Sequence, residues 1–369
     1  MKKIVYISVY RDGTGYGNAA LLMIKALAKT GYEVVPVWMT LNGHPNKIDY
    51  EIANMESSNL DGVDIVIQQT LPSMFVRIEG VKNIGFFFWE TDKFTGSGWQ
   101  HGCNLMDEIW VTTEEQREAC LTSGVTKPII LVDQPKDIDP NKETMFDFRN
   151  SGVEHCYKFY TISDFSNKKN VNGLIHSFLT EFSVDDQACL VLKTYISRAK
   201  PEESLAQIKK TIEEIKHQIG KKLEIFPRIV IIPKMVSDME LESIENACDC
   251  FVSMSRGEGE GLPMAQAAIK GKPVIAPNIS GIKKNFINKD LLVTRTIKKR
   301  VFGMKNEGGS IFYLSDENWY DPSTDQMCEK MRLVFNGGEV VENSVKENQE
   351  HIINNYSIDV CSEKLKNLL

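Results

Sequence analysis

Residues 255–281 read SRGEGEGLPMAQAAIKGKPVIAPNISG. Gly257, Gly259 and Gly261 alternate with Glu258 and Glu260, and Pro263 follows at the start of a helical pattern. Glycines let backbone N–H groups approach a ligand closely. Pro263 fits just inside a helix, where its missing N–H costs nothing. A helix start adds free N–H donors and partial positive charge, which suits a diphosphate. A carboxylate beside phosphate would repel it, so Glu258 needs another task. Accepting hydrogen bonds from two sugar hydroxyls at once is one that a carboxylate performs well. Lys193, at the end of the apolar run LVLKTY, is a candidate cation for the same diphosphate. A second glycine turn, Gly13, Gly15 and Gly17, follows the first apolar run and either shapes a tight turn or meets a ligand. Glu90 and Asp92 end another apolar run and are candidate active-site carboxylates; His101 reads equally well as a solvated loop residue.

The elements that position these residues alternate between strand and helix. Residues 4–9 form a β-branched run, 19–29 a helical pattern and 33–38 a second strand, the opening of a parallel doubly wound sheet. Strands at 64–68, 83–89, 108–112 and 129–132 and a helix at 113–123 complete a first α/β domain, 1–150. Residues 133–154 lack periodicity and read as a connection. The pattern restarts with strands at 159–163, 189–194, 228–232, 250–254 and 273–276. Helices at 171–182, 204–219, 238–247 and 262–270 lie between them. This predicts a second domain over 151–345 and a C-terminal helix over 346–369 that packs back toward the first. Two sequential α/β domains imply a cleft between them.

The segment 255–281 resembles the signature of the retaining GT-B glycosyltransferases of family 4. The matching residues are Ser255, Glu258, Gly259, Gly261, Leu262, Pro263, Ala267, Gly271, Pro273, Val274, Ile275 and Gly281. The resemblance implies a GT-B fold, two Rossmann-like domains facing across a cleft. It also implies that Glu258 contacts the donor sugar and that amides near Gly261 and Leu262 hold phosphate and sugar. The family's second Glu, which contacts the donor ribose, is replaced by Gln266. Further matches implicate Lys169, and Lys168 in place of an Arg, at a phosphate-binding turn in FYTISDFSNKKNVNGLIHSF. Pro233, Lys234 and Met235 fall where the donor base sits, and FFFWETDKF resembles a subgroup with Trp-Glu at this place.

The implied reaction moves a sugar from a nucleotide diphosphate, UDP- or GDP-linked, to an acceptor hydroxyl with retention. No resident cofactor is expected. With no Asp-x-Asp motif at a strand end, Lys169, Lys193 and the helix after Gly261 are expected to meet the leaving-group charge without a metal. The acceptor is expected to be a saccharide or glycoconjugate, with a modified nucleic-acid base left open. A sugar-nucleotide epimerase of the same fold and a non-catalytic sugar-nucleotide-binding subunit, the latter encouraged by Gln266, are the alternatives.

Composition narrows the setting. A chain of 369 residues suggests two domains at roughly 150 residues each. Its formal net charge of -7 exerts no general pull toward nucleic acid or anionic membrane. Lys283, Lys284, Lys298, Lys299 and Arg300 read as a solvated loop or helix face. Eight cysteines without metal-ligand spacing are expected as free thiols of a cytoplasmic protein. The opening MKKIVYISVY reads as a strand rather than a signal peptide.

Overall fold

A computed structural model describes residues 2–41, 48–139, 143–149, 151–222, 225–304 and 310–369. The chain divides into two compact units. Unit 1 contains Met1–Ile138, Ile311–Glu317 and Ile352–Leu369; unit 2 contains Asp139–Ser310 and Asn318–His351. The sequence pattern put one division at residue 150 and gave no sign that 311–317 would leave the second unit.

Unit 1 is built on β1 (Lys3–Ser8), β2 (Glu33–Trp38), β3 (Ile65–Gln69), β4 (Lys82–Phe86), β5 (Glu108–Val111) and β6 (Ile129–Leu131). They pair in the order β2-β1-β3-β4-β5-β6, every pair parallel. A parallel sheet is covered on both faces, and β3 is accordingly buried at every residue. Helices α1 (Gly15–Ala28), α2 (Tyr50–Met55), α3 (Trp99–Leu105) and α4 (Glu114–Thr122) connect the strands. Thr14 caps α1 by accepting from the Gly17 N–H at 3.1 Å. A Cβ on Gly17 would lie 2.0 Å from the Asp12 carbonyl oxygen, so this close turn admits only glycine.

Unit 2 repeats the plan with β7 (Tyr157–Asp164), β8 (Ala188–Tyr195), β9 (Arg228–Ile232), β10 (Cys250–Val252) and β11 (Val274–Ile275). The order is β11-β10-β7-β8-β9, again all parallel. Helices α5 (Val171–Glu181), α6 (Pro201–Ile219), α7 (Asp238–Asn246), α8 (Leu262–Ile269) and α9 (Ser280–Asn285) lie between or after the strands. The core joins Phe159, Leu190 and Leu192 of the sheet to Leu174, Phe178 and Phe182. Next come β12 (Thr296–Arg300) and β13 (Asn318–Pro322), an antiparallel pair. Lys298, Lys299 and Arg300 therefore lie on a strand and not on a loop or helix face. Pairing with β13 satisfies a backbone whose polar side chains gave no strand signal. Lys283 and Lys284 are on α9.

Helices α10 (Thr324–Asn336) and α11 (Glu339–Tyr356) follow, and α12 (Ile358–Leu368) returns to unit 1, where it packs on α1. The Lys136 N–H donates to the Tyr356 carbonyl at 2.7 Å. Lys29 reaches Asp359 at 2.5 Å and Lys364 reaches Asp133 at 2.7 Å. Ile352, Cys361 and Leu365 are buried. No described helix is long and apolar enough to cross a membrane. None of the eight cysteines forms a disulfide.

Residues 311–317 form a strap on the aromatic cluster of unit 1, where Phe87, Trp89, Phe94 and Trp99 are buried together. Tyr313 stacks on Trp89 with centroids 4.9 Å apart and planes 11° from parallel. Phe312 meets Trp99 at 5.3 Å. A Cβ on Gly96 would come 1.8 Å from Leu314 Cδ1, so the strap lies directly on this glycine. Lys93 pairs with Asp316 at 2.6 Å.

Candidate active site

Strand order in the sheet of unit 2 reverses at β7, with β8 and β9 on one side and β10 and β11 on the other. The loops leaving β7 and β10 therefore diverge, and a crevice opens at the carboxyl ends of these strands. Lys169 enters from the loop between β7 and α5, and Glu258 from the loop between β10 and α8. Lys169 Nζ donates to Glu258 Oε1 at 2.6 Å. Glu258 is 7% exposed, a buried carboxylate paired with Lys169. Lys168 is half-buried in the same turn, and its carbonyl accepts from the Arg256 N–H at 2.8 Å.

Around this pair the glycine loop is braced from behind. Ser255 is fully buried and its hydroxyl donates to the Gly257 carbonyl at 2.9 Å, which makes it a strut of the loop. Glu260 is also buried. Asn285 of α9 donates to its backbone carbonyl at 2.9 Å. Gly281 passes so close that a Cβ there would lie 2.4 Å from the Glu260 Cα. Ser280 holds φ +43, a left-handed conformation costly for a residue with a side chain, and donates to the Gly259 carbonyl at 3.3 Å. Gly261 adopts φ +70 at the start of α8, and Leu262 and Pro263 open the helix. Its first amides thus lie at the carboxyl end of β10, on the crevice. Gln266 is half-buried in the second turn of α8, and its side chain makes no hydrogen bond within the described protein.

Lys193 lies two residues before the end of β8, in register with Ile162 of β7. It is 5% exposed, forms no ion pair among the described residues, and lies 5.3 Å over the Tyr195 ring. Burial lowers its pKa, so an arriving anion would restore the environment that its charge lacks. Pro233, Lys234 and Met235 follow β9 at the same rim, two strands from β7. Two strand spacings are about 10 Å, the scale that separates a nucleotide base from its phosphates. Lys234 and Met235 are exposed, with Lys234 3.7 Å from Glu240.

The second group of predicted residues lies in unit 1. Gly13 and Gly15 are exposed at the carboxyl end of β1, where the order β2-β1-β3 reverses. Gly17 is instead buried against the Asp12 and Val9 carbonyls. Glu90 is half-buried and accepts from the Tyr313 hydroxyl of the strap. Asp92 is half-buried nearby, and His101 is exposed on α3. Among the described residues no three His, Cys, Asp or Glu side chains converge as a metal site.

Three contributors carried no weight in the sequence. Arg256 sits inside the glycine segment, and its guanidinium pairs with Asp321 of β13 at 2.7 Å. Burial works against the Asp321 charge, but hydrogen bonds from Lys299 and Arg256 hold its carboxyl below the usual range. Glu317, on the strap, is fully buried, and burial pushes its pKa up to about 7. Its only sequence signal was an acidic residue close to Trp319.

No family model matches the sequence, and no curated protein is similar to it in sequence. Solved structures do resemble it. Sucrose-phosphate synthase (tll1590) from Thermosynechococcus elongatus gives a TM-score of 0.62 at 13% identity, covering 100% of this chain and 98% of that one. Anabaena Alr3699/HepE in complex with UDP gives 0.66 at 12% identity, covering 100% and 99%. Trehalose-6-phosphate from E. coli bound with UDP-2-fluoro glucose gives 0.66 at 12%, covering 99% and 98%. At these identities the likeness establishes the fold. It is α/β, with two Rossmann-like, doubly wound parallel sheets, of the GT-B class.

Proposed function

We propose that this chain is a glycosyltransferase that moves a sugar from a nucleotide diphosphate to an acceptor hydroxyl. The observation that carries the reading is the Lys169–Glu258 pair at the switch point of the second sheet, beside the start of α8. Lys169, Lys193 and the first amides of α8 supply positive charge for a leaving diphosphate. Glu258 supplies a carboxylate for the sugar hydroxyls. Binding of the donor exchanges one partner of each: Lys169 turns to phosphate and Glu258 is released to the sugar. Gln266 faces the ribose, and 233–235 take the base. A UDP-sugar is the favoured donor and a GDP-sugar the next, since two of the similar structures hold UDP or a UDP-sugar. Retention at the anomeric carbon and independence of metal complete the reading, on the signature and on the cations just named. A saccharide or glycoconjugate hydroxyl is the acceptor, for which unit 1 offers Gly13, Gly15, Glu90 and Asp92. Free thiols support a cytoplasmic setting.

The test is a melting screen with UDP, GDP and their sugars, followed by assay of nucleotide release in EDTA. A ligand at 100 times its Kd stabilises by about 2.7 kcal/mol. One nucleotide series should raise the melting point, and its sugar should turn over with EDTA present. If none of these nucleotides raises it, the donor reading is wrong; turnover that needs Mn²⁺ or Mg²⁺ throughout removes metal independence.

A further inference from the structure

Arg256 touches more of the crevice framework than its place in a glycine loop requires. Its N–H donates to the Lys168 carbonyl at 2.8 Å, and its carbonyl accepts from the Tyr320 N–H at 3.0 Å. Its Nε donates to Asp321 Oδ1 at 2.7 Å. Its Nη1 donates to the Asn167 carbonyl and, at 2.8 Å, to Asn167 Oδ1. The guanidinium carbon lies 4.9 Å from the Phe302 ring and 5.7 Å from that of Trp319. One side chain thus ties the turn after β7, the loop after β10 and the β12–β13 hairpin to each other. It is 8% exposed, and its Nε and Nη1 are directed at protein acceptors.

We infer that Arg256 is a positioning residue that sets the register of Lys169 against Glu258, with the β12–β13 hairpin as its anchor; this rests on the donor reading above. Lys169 is the next residue after Lys168 and Glu258 is two residues after Arg256. A shift of either loop by about 1 Å separates an ammonium and a carboxylate now in hydrogen-bond contact. The planar guanidinium holds two neighbours at fixed angles, which the ammonium of lysine cannot reproduce. Arg256 acts on the donor through Lys169 and Glu258 and touches neither phosphate nor sugar.

A double-mutant cycle decides this without a nucleotide. The coupling of Lys169→Ala with Glu258→Ala is measured from denaturant unfolding, in the parent and in the Arg256→Ala background. The parent pair should couple by about fivefold in the unfolding equilibrium, and the coupling should vanish once Arg256 is removed. Retained coupling in the variant overturns the proposal. Should Arg256→Ala not fold, Asp321→Asn, which loosens the anchor and leaves the arginine, takes its place with the same expectation. The second measurement is UDP affinity. Arg256→Ala and Lys169→Ala should each weaken it about tenfold, and the double variant no more than about twofold further. Losses that multiply, or an equal loss of uridine binding, would mean that Arg256 acts on stability alone. A parent that binds neither UDP nor GDP defeats the donor reading, and the unfolding cycle still settles the positioning role.

Discussion

At the scale of single residues, Glu258 and Lys169 neutralise one another, and that sets what a substitution does. Glu258→Gln keeps a hydrogen-bond acceptor for the sugar but frees Lys169 from its ion pair. Turnover should fall about 10- to 30-fold, the difference between charged and neutral hydrogen bonds. UDP should bind as before or slightly tighter, and titration calorimetry beside a turnover assay separates the two. Parallel losses would place Glu258 in the frame of the loop. Gln266 offers a complementary case, since its amide has no partner in the described protein. Gln266→Leu should weaken a ribose-containing nucleotide by roughly 0.5–1.5 kcal/mol, and Gln266→Glu should retain or tighten it by up to about tenfold. If Gln266→Leu binds equally well, Gln266 is a solvated helix residue. Much of this neighbourhood was legible because its parts are close in sequence: glycines, carboxylate and helix start fall within a few residues. Arg256 lies among them and escaped notice, because its partners Asp321 and Asn167 are 65 and 89 residues away.

At the scale of elements, the strap at 311–317 carries a titration. Thr91 Oγ1 lies 2.8 Å from the Lys93 carbonyl oxygen and 2.9 Å from Glu317 Oε2. One hydroxyl hydrogen cannot serve both acceptors. A protonated Glu317 resolves this by donating to Thr91, which donates on to Lys93. Burial first, and then the nearby Asp316 and Asp92, push the Glu317 pKa up to about 7, against 4.5 for an ordinary glutamate. The folded protein therefore holds this proton more firmly than the unfolded chain. Stability from Glu317 is full below about pH 4.5 and is lost as the pH rises through about 7. Glu317→Gln keeps the neutral form at every pH. Its melting point relative to the parent should rise between pH 5 and pH 8.5, by roughly 2–4 °C per kcal/mol regained. A difference that stays constant with pH would show that Glu317 keeps its charge. Neither the strap nor the β12–β13 hairpin could be read from local pattern. The hairpin strand TIKKR lacks an apolar face, and the strap gains order from partners more than 200 residues earlier, the rings of Trp89 and Trp99 among them.

At the scale of the molecule, both parallel sheets were legible, because buried β-branched strands alternating with helices leave few alternatives. The course of the chain was not, since unit 1 takes residues from its beginning, from 311–317 and from its end. Residues 1–138 alone hold all six strands of their sheet but lack α12, which packs on α1, and the rings that pack on Trp89 and Trp99. Expressed alone, 1–138 should unfold without a cooperative transition, while the full chain melts sharply; a sharp transition in the fragment would show that the late segments only decorate a finished domain. The same arrangement governs events on the ribosome. Residues 1–138 of unit 1 emerge early, yet α12 follows about 220 residues later. At about 5–20 residues per second, on the order of 10–50 s separate the two. Until 311–317 are made the Trp89–Trp99 cluster stays uncovered, and until α12 is made so does the side of α1 that faces it, so the nascent chain presents apolar surface that only these late segments close.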